Sequence, residues 1–309
     1  PDDIVTGVVI ALLGVEDVTT GDFIVEDFCF ADAGPQTLLP TSDTKDDDND
    51  VYVALISGLN LGSGDADELF PLQMFIDYVT GQLGSSAEQI SASKIARVII
   101  AGNLIKEVDN VSEDIAAYKM KGVEAKTVES VNELDHVLSQ LASCVPVDIM
   151  SGAHDPSNQT VPQQPMHKCM FPKAASTSLL RGVTNPYDCE ISGVSILGTS
   201  GQNVNDIYRF SNHEDRLKIL ECVWKWRHLC PTAPDTLGCF PFYESDPFVM
   251  LEETPHVLFV GNQPVYRTTV AEGASGQKTR LICVPSQSTS PTHHTHTHSL
   301  SLSLSQITH

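Results

Sequence analysis

The side chains best suited to chemistry sit in short loops that follow apolar runs. They are Ser57-Gly58-Leu59-Asn60-Leu61-Gly62, Ala101-Gly102-Asn103-Leu104, Ser151-Gly152-Ala153-His154-Asp155 and Gly261-Asn262-Gln263-Pro264. An open α/β sheet places its site at such strand ends. His154 and Asp155 offer an imidazole and a carboxylate, the two groups most used as proton carriers and cation ligands. The asparagines offer only neutral carbonyl oxygens. A fifth loop, Gly198-Thr199-Ser200-Gly201-Gln202-Asn203, has a glycine rhythm but lacks the lysine of a phosphate-binding loop. Its glycines turn the chain from a strand over Val194–Leu197 into a helix that starts near Asn203, with Asn203 and Asn205 placed to cap it. No G-x-S-x-G nucleophile motif occurs. The acidic run Asp46–Asp50 has neither the glycine turn nor the spaced glutamate of a calcium loop, and reads as a solvated linker.

The elements that position these loops follow from hydrophobic periodicity. Val51–Ser57, Ala96–Ala101 and Val145–Met150 are mainly apolar runs, which predict strands buried on both faces. Between them lie predicted helices at Asp67–Leu83, interrupted near its start by Pro71, and Thr127–Leu141, where Val128, Val131, Leu134, Val137, Leu138 and Leu141 lie near one face. A further helix spans His213–His228, with a wide stripe of Leu217, Ile219, Leu220, Val223, Trp224 and Trp226. Val257–Val260 and Leu281–Val284 are late strands. Alternating strands and helices make an α/β protein with a covered sheet. Ahead of this region, Val5–Leu13 and Phe23–Phe30 read as short strands around a turn at Gly14–Gly21. Two or three strands do not stand alone, so this block is expected to be the end of a small β-domain.

Composition narrows the function classes. The chain has 309 residues, with 18 Lys plus Arg against 40 Asp plus Glu, a net charge of −22. Such a surface repels phosphate, which argues against a protein that grips DNA or RNA by itself. No apolar run reaches membrane-spanning length. The eight cysteines are scattered singly, without a C-x-x-C pair, and are expected to be reduced thiols. Pro1 in place of Met, with no leader pattern after it, reads as a start internal to a longer product. Residues 286–309 are a Ser/Thr/His segment ending in His-Thr and Ser-Leu repeats, expected to be disordered or an artefact of the gene model. Its histidines 293, 294, 296 and 298 carry little weight as a metal site.

The strand-then-loop rhythm resembles the calcineurin-like metallophosphoesterases, whose loops carry D-x-H, G-D, G-N-H-[DE], a lone His and G-H-x-H around two metals that activate water. Laid on this chain, the ligand positions fall on Gly58, Asn60, Asn103, Ala153, Ser200, Asn262 and Pro264, and only His154 and Asp155 keep the family's residue type. The resemblance therefore implies an inactive phosphoesterase domain with no catalytic residue, metal or cofactor. Longer strings are more specific: LISGLNLG (55–62), VPVDIMSGAHDPSN (145–158), PQQPMHKCMFP (162–172), VTNPYDCEISGVSILGTSGQNVNDI (183–207) and PTAPDTLGCFPFYESDPF (231–248). With VTGVVIAL and FIVEDFCFAD near the start, they resemble the B-subunits of eukaryotic replicative DNA polymerases, in particular the small subunits of the delta type.

That resemblance implies a two-sheet metallophosphoesterase-like sandwich (51–285) flanked by helices. Ahead of it come the C-terminal part of an OB β-barrel (1–40) and an acidic linker (41–50). It implies a non-catalytic scaffold in the nucleus. The scaffold would bridge the cysteine-rich C-terminal domain of the delta catalytic subunit and the third delta subunit, with DNA met only through the complex. The competing reading is a working metal-dependent phosphodiesterase or nuclease. The proline-rich loops 155–172 and 231–247 add Met166, Met170, Phe171, Phe240, Phe242, Tyr243 and Phe248, which either form a docking surface or pack inward.

Overall fold

The computed structural model describes residues 4–39, 51–62, 66–107, 117–250, 253–287 and 300–303; the acidic run and the histidine repeat lie outside them. Two five-stranded sheets dominate. The first contains β3 (Tyr52–Ile56), β4 (Ile95–Ala101), β5 (Val147–Met150) and β6 (Leu180–Val183), all parallel, with β12 (Leu300–Ser303) antiparallel on β3. The second has the order β10 (Arg267–Glu272), β11 (Lys278–Pro285), β9 (Val257–Gln263), β8 (Val194–Thr199), β7 (Tyr187–Ile191). There β8, β9 and β11 run parallel and the two edge strands antiparallel.

The period of two along each strand distributes the side chains over four layers. Ala54, Val98, Ile100, Val147 and Ile149 face outward from the first sheet. They pack on Leu72, Phe75 and Ile76 of α1 (Ala66–Val79) and on Leu134, Leu138 and Leu141 of α3 (Ala117–Leu141). Their alternates Val53, Leu55, Ile99, Ala101 and Met150 meet Ile196, Val257, Phe259, Ile282 and Val284 of the second sheet. The outer face of that sheet, with Leu258, Val260, Leu281 and Cys283, is covered by α4 (Gln202–Phe210) and α5 (Arg216–Trp226). Trp224 of α5 is buried there and donates from Nε1 to Thr279 Oγ1 at 2.9 Å. Both sheets are thus buried on both faces, which is why β3, the Val98–Ala101 part of β4 and the Val257–Gly261 part of β9 are apolar throughout.

A carboxylate lies among these layers. Asp148 of β5 accepts from Arg97 Nη1 of β4 and from the Tyr187 hydroxyl of β7, each at 2.7 Å. It therefore ties the first sheet to the edge of the second. Burial and the Asp148 bond both raise the Tyr187 phenol above its ordinary range.

Several sequence expectations are corrected. Pro71 does not interrupt α1; the helix runs through it. Val128 is exposed, so the α3 stripe begins at Val131. Of the first apolar run only Ala11–Leu13 is strand, and β1 (Ala11–Glu16) continues past it, with Gly14 inside the strand rather than in a turn. Asn203 and Asn205 do not cap α4. Gly201 holds the N-cap position with φ 98°, while Asn203 sits inside the helix, accepting from Thr199 Oγ1 and donating to Leu229 O. A short helix, α2 (Ser86–Ser93), is unforeseen although its capping box, Ser85 with Glu88, is visible in the sequence.

β1 and β2 (Phe23–Cys29) form an antiparallel hairpin that leaves Leu13, Val15, Phe23, Ile24 and Val25 exposed. The chain around it is anchored on the outer core of the second sheet through Val5, Val8, Phe30 and Ala33. Gln36 adds bonds in both directions to the Lys278 backbone at 2.8 and 2.9 Å.

Candidate functional site

The parallel strands β3, β4, β5, β8 and β9 deliver their C-terminal loops to one region, so most of the sequence-selected positions are brought together. Several need left-handed backbone: Gly58 has φ 65°, Asn60 46°, Gly102 76°, Asn103 52°, Gly201 98° and Asn262 56°. Glycine enters that region freely, and asparagine enters it more readily than most other residues. The asparagines therefore have a backbone reason to be present that is independent of any ligand.

The loops touch backbone to backbone. Gly58 N donates to Gly102 O at 3.0 Å, and Asn60 N to Asn103 O at 3.1 Å. A Cβ on Gly102 would lie 2.7 Å from Gly152 Cα, and one on Gly201 would lie 2.0 Å from Gly261 O. An aspartate at Gly58 would place its Cβ 2.1 Å from Ser286 Oγ in a backbone conformation it disfavours.

Most of the polar groups are spent on the loops themselves, although the amide oxygens of Asn103, Asn262 and Gln263 are buried without a hydrogen-bond partner. Asn262 Nδ2 donates to Ala101 O at 2.9 Å and to Ser200 O at 2.8 Å, and its backbone N–H donates to Ser57 Oγ at 2.8 Å. One residue thus ties the ends of β3, β4 and β8 to β9. Asp155 is buried. Its Oδ1 accepts from Leu104 N (2.7 Å) and Ile105 N (3.2 Å), and its Oδ2 from Gly152 N (2.7 Å). Burial pushes its carboxyl upward, opposed by those bonds. Its neighbour His154 is instead exposed, with Nδ1 3.6 Å from Glu107 Oε2. Ala153 and Pro264 are exposed, and neither side chain can ligate.

Asn185 and Gln163 are the residues that sequence reasoning missed. Asn185 Nδ2 lies within hydrogen-bond distance of three acceptors, Ser200 Oγ (2.7 Å), Gln163 Oε1 (2.8 Å) and Gln202 Oε1 (2.8 Å), which share its two hydrogens, and its Oδ1 accepts from Ser200 N (3.1 Å). Gln163 Nε2 continues to Gly152 O at 3.0 Å. A buried amide that joins loops from both sheets has no local sequence signature.

These residues do not fit a two-metal centre. Its donors would be carboxylates and imidazoles. Among the ligand positions of the pattern, the carboxylate of Asp155 is occupied by three backbone N–H groups, the imidazole of His154 is exposed, and the remaining positions are glycine, alanine, proline, serine or asparagine. Among the described residues, no group of three or more His, Cys, Asp or Glu could hold a metal ion.

Residues 53–268 match the family of DNA polymerase alpha/epsilon B-subunits. The chain belongs to that family. Within it, the chain is 43% identical to the DNA polymerase delta small subunit of Oryza sativa subsp. japonica over 285 residues, 92% of this chain and 64% of the relative. It is 41% identical to DNA polymerase delta subunit 2 of Drosophila melanogaster over 288 residues, 92% and 63% of the two chains. A more distant similarity, 24% over 245 residues, links it to the DNA polymerase II small subunit of Archaeoglobus fulgidus and covers 76% of this chain and 47% of that one. The chain spans under two-thirds of the length of these curated relatives.

Proposed function

We propose that this chain is the non-catalytic accessory subunit of a DNA polymerase delta complex. The observation that carries the reading is its sustained identity, across more than nine-tenths of its length, to proteins named as that small subunit. The site chemistry supports it, because the loops that would hold catalytic metals are hydrogen-bonded to one another instead. In this reading the two sheets and their outer helices form an inactive metallophosphoesterase-like sandwich over residues 51–285. The β1–β2 hairpin is the end of an OB β-barrel over 1–40, residues 41–50 are a linker and 286–309 a low-complexity tail, which is not disordered throughout, since Leu300–Ser303 pairs with β3. The chain bridges the cysteine-rich C-terminal domain of the catalytic subunit and the third subunit, acts in replication and repair synthesis, and resides in the nucleus. It meets DNA only through its partners, consistent with a charge of −22. Among the described residues, no helix is long and apolar enough to cross a membrane.

Calorimetric titration with manganese and hydrolysis of a bis-aryl phosphodiester separate this reading from the phosphodiesterase alternative. The accessory reading predicts no saturable binding at micromolar metal and no turnover above the metal-only blank. Turnover that is lost on His154→Ala would support the enzyme instead.

A further inference from the structure

The loop between α5 and β9 is held firmly at both ends and bare in the middle. At its start, Asp206 Oδ2 of α4 accepts from the hydroxyls of Thr232 and Thr236, each at 2.6 Å. Next, Val161 N donates to Gly238 O (3.0 Å) and Phe240 N to Val161 O (2.8 Å), which sews the loop to its neighbour. Toward its end, Asp246 Oδ2 meets His228 Nε2 at 3.0 Å and Asp246 Oδ1 accepts from Phe248 N at 2.9 Å, above a fully buried Phe248 ring. Between these anchors Phe240 is 65% exposed, Phe242 47% and Tyr243 98%. Three aromatic rings on a stapled loop lose little entropy on binding.

The charged side chains along this segment of the chain have one sign. From Leu229 to Tyr266 the sequence contains Asp235, Glu244, Asp246, Glu252 and Glu253 but no lysine or arginine. Stacking on exposed rings is also how single-stranded nucleic acid binds, yet such sites add cations for the phosphates, and this loop offers only carboxylates. The chemistry that complements rings amid carboxylates is a guanidinium, which stacks on an aromatic face and pairs with an acid. We infer that the Phe240–Glu244 loop tip is a docking site for an arginine-bearing segment of a partner polypeptide. This rests on the reading of the chain as a subunit of a larger assembly, and it assigns that assembly a surface.

The test uses the whole chain and a fluorescein-labelled octapeptide in which arginine alternates with leucine and glycine, read by fluorescence anisotropy. Phe240→Ala/Phe242→Ala/Tyr243→Ala is expected to weaken binding at least ten-fold. Replacing the probe's arginines with lysines is expected to weaken it several-fold. Asp235→Asn/Glu244→Gln is expected to weaken it several-fold, whereas Asp22→Asn/Glu26→Gln on the distant hairpin leaves it unchanged. Phe242 also packs edge-on against the buried Phe248 ring, so circular dichroism accompanies the triple variant, and Tyr243→Ala alone, whose ring is 98% exposed, is a second variant with a smaller loss in the same direction. Equal binding by the triple variant, or equal weakening by the two charge variants, would overturn the inference. So would light-scattering detection of a dimer that the triple variant abolishes, since the occupant would then be a second copy. Peptide binding reports on the loop, and co-elution with polymerase subunits reports on the subunit reading, so either can fail without the other.

Discussion

Asp155→Ala is expected to destabilise the chain by about 3–6 kcal/mol, because it leaves three buried backbone N–H groups without an acceptor at roughly 1–2 kcal/mol each. Those donors, on Leu104, Ile105 and Gly152, belong to the loops after β4 and β5, so the substitution loosens the junction at the centre of the candidate site. Asp155→Asn keeps the shape but replaces one acceptor with an NH2 group facing an N–H, and is expected to cost about 1–3 kcal/mol. Urea unfolding followed by tryptophan fluorescence measures both. Stability unchanged within about 0.5 kcal/mol in the alanine variant would mean that the carboxylate does not hold these loops, and that its position next to His154 needs a chemical explanation instead.

The second large effect is at Asp148. Removing one partner of a buried ion pair typically costs about 3–5 kcal/mol. Asp148→Ala would strand the Tyr187 hydroxyl and part of Arg97, whose side chain stays partly exposed and can reach solvent. The lower end, about 3 kcal/mol, is therefore expected. Tyr187→Phe removes only the hydroxyl and should cost about 1 kcal/mol. In a double-mutant cycle between Asp148→Ala and Tyr187→Phe, the pair should couple by about 1 kcal/mol. Coupling indistinguishable from zero would show that the carboxylate does not tie the two sheets together.

The parts of the fold legible in the sequence were those where one periodicity governed a whole segment. β3, β4, β5 and β9 are buried on both faces, so each reads as a mainly apolar run, with Arg97 of β4 and Asp148 of β5 paired to each other. α5 carries Leu220, Val223 and Trp224 on a face that meets the second sheet. β6, with Leu-Arg-Gly-Val, and β10, with Arg-Thr-Thr-Val-Ala-Glu, escaped because edge strands bury little and their patterns are mixed. The seven side chains singled out on the proline-rich loops divide in the structure: Met166, Phe171 and Phe248 are buried, Met170 is partly buried, and Phe240, Phe242 and Tyr243 are exposed. Composition alone could not sort them, since both groups are apolar.

At the candidate site, the sequence showed which loops converge and which ligand types the family pattern would require there. It did not show what Asn60, Asn103 and Asn262 do. Their left-handed backbone, and the bonds from Asn262 to Ala101 and Ser200, depend on loops far apart in the chain. The Asn185–Gln163 amide network was hidden for the same reason.

The most direct test of the central claim is co-expression of the full chain with the cysteine-rich C-terminal domain of the cognate polymerase delta catalytic subunit, followed by size-exclusion chromatography. The account predicts a single one-to-one peak that survives dilution and carries no phosphodiesterase activity. Two separate peaks, with this chain folded by circular dichroism, would contradict it.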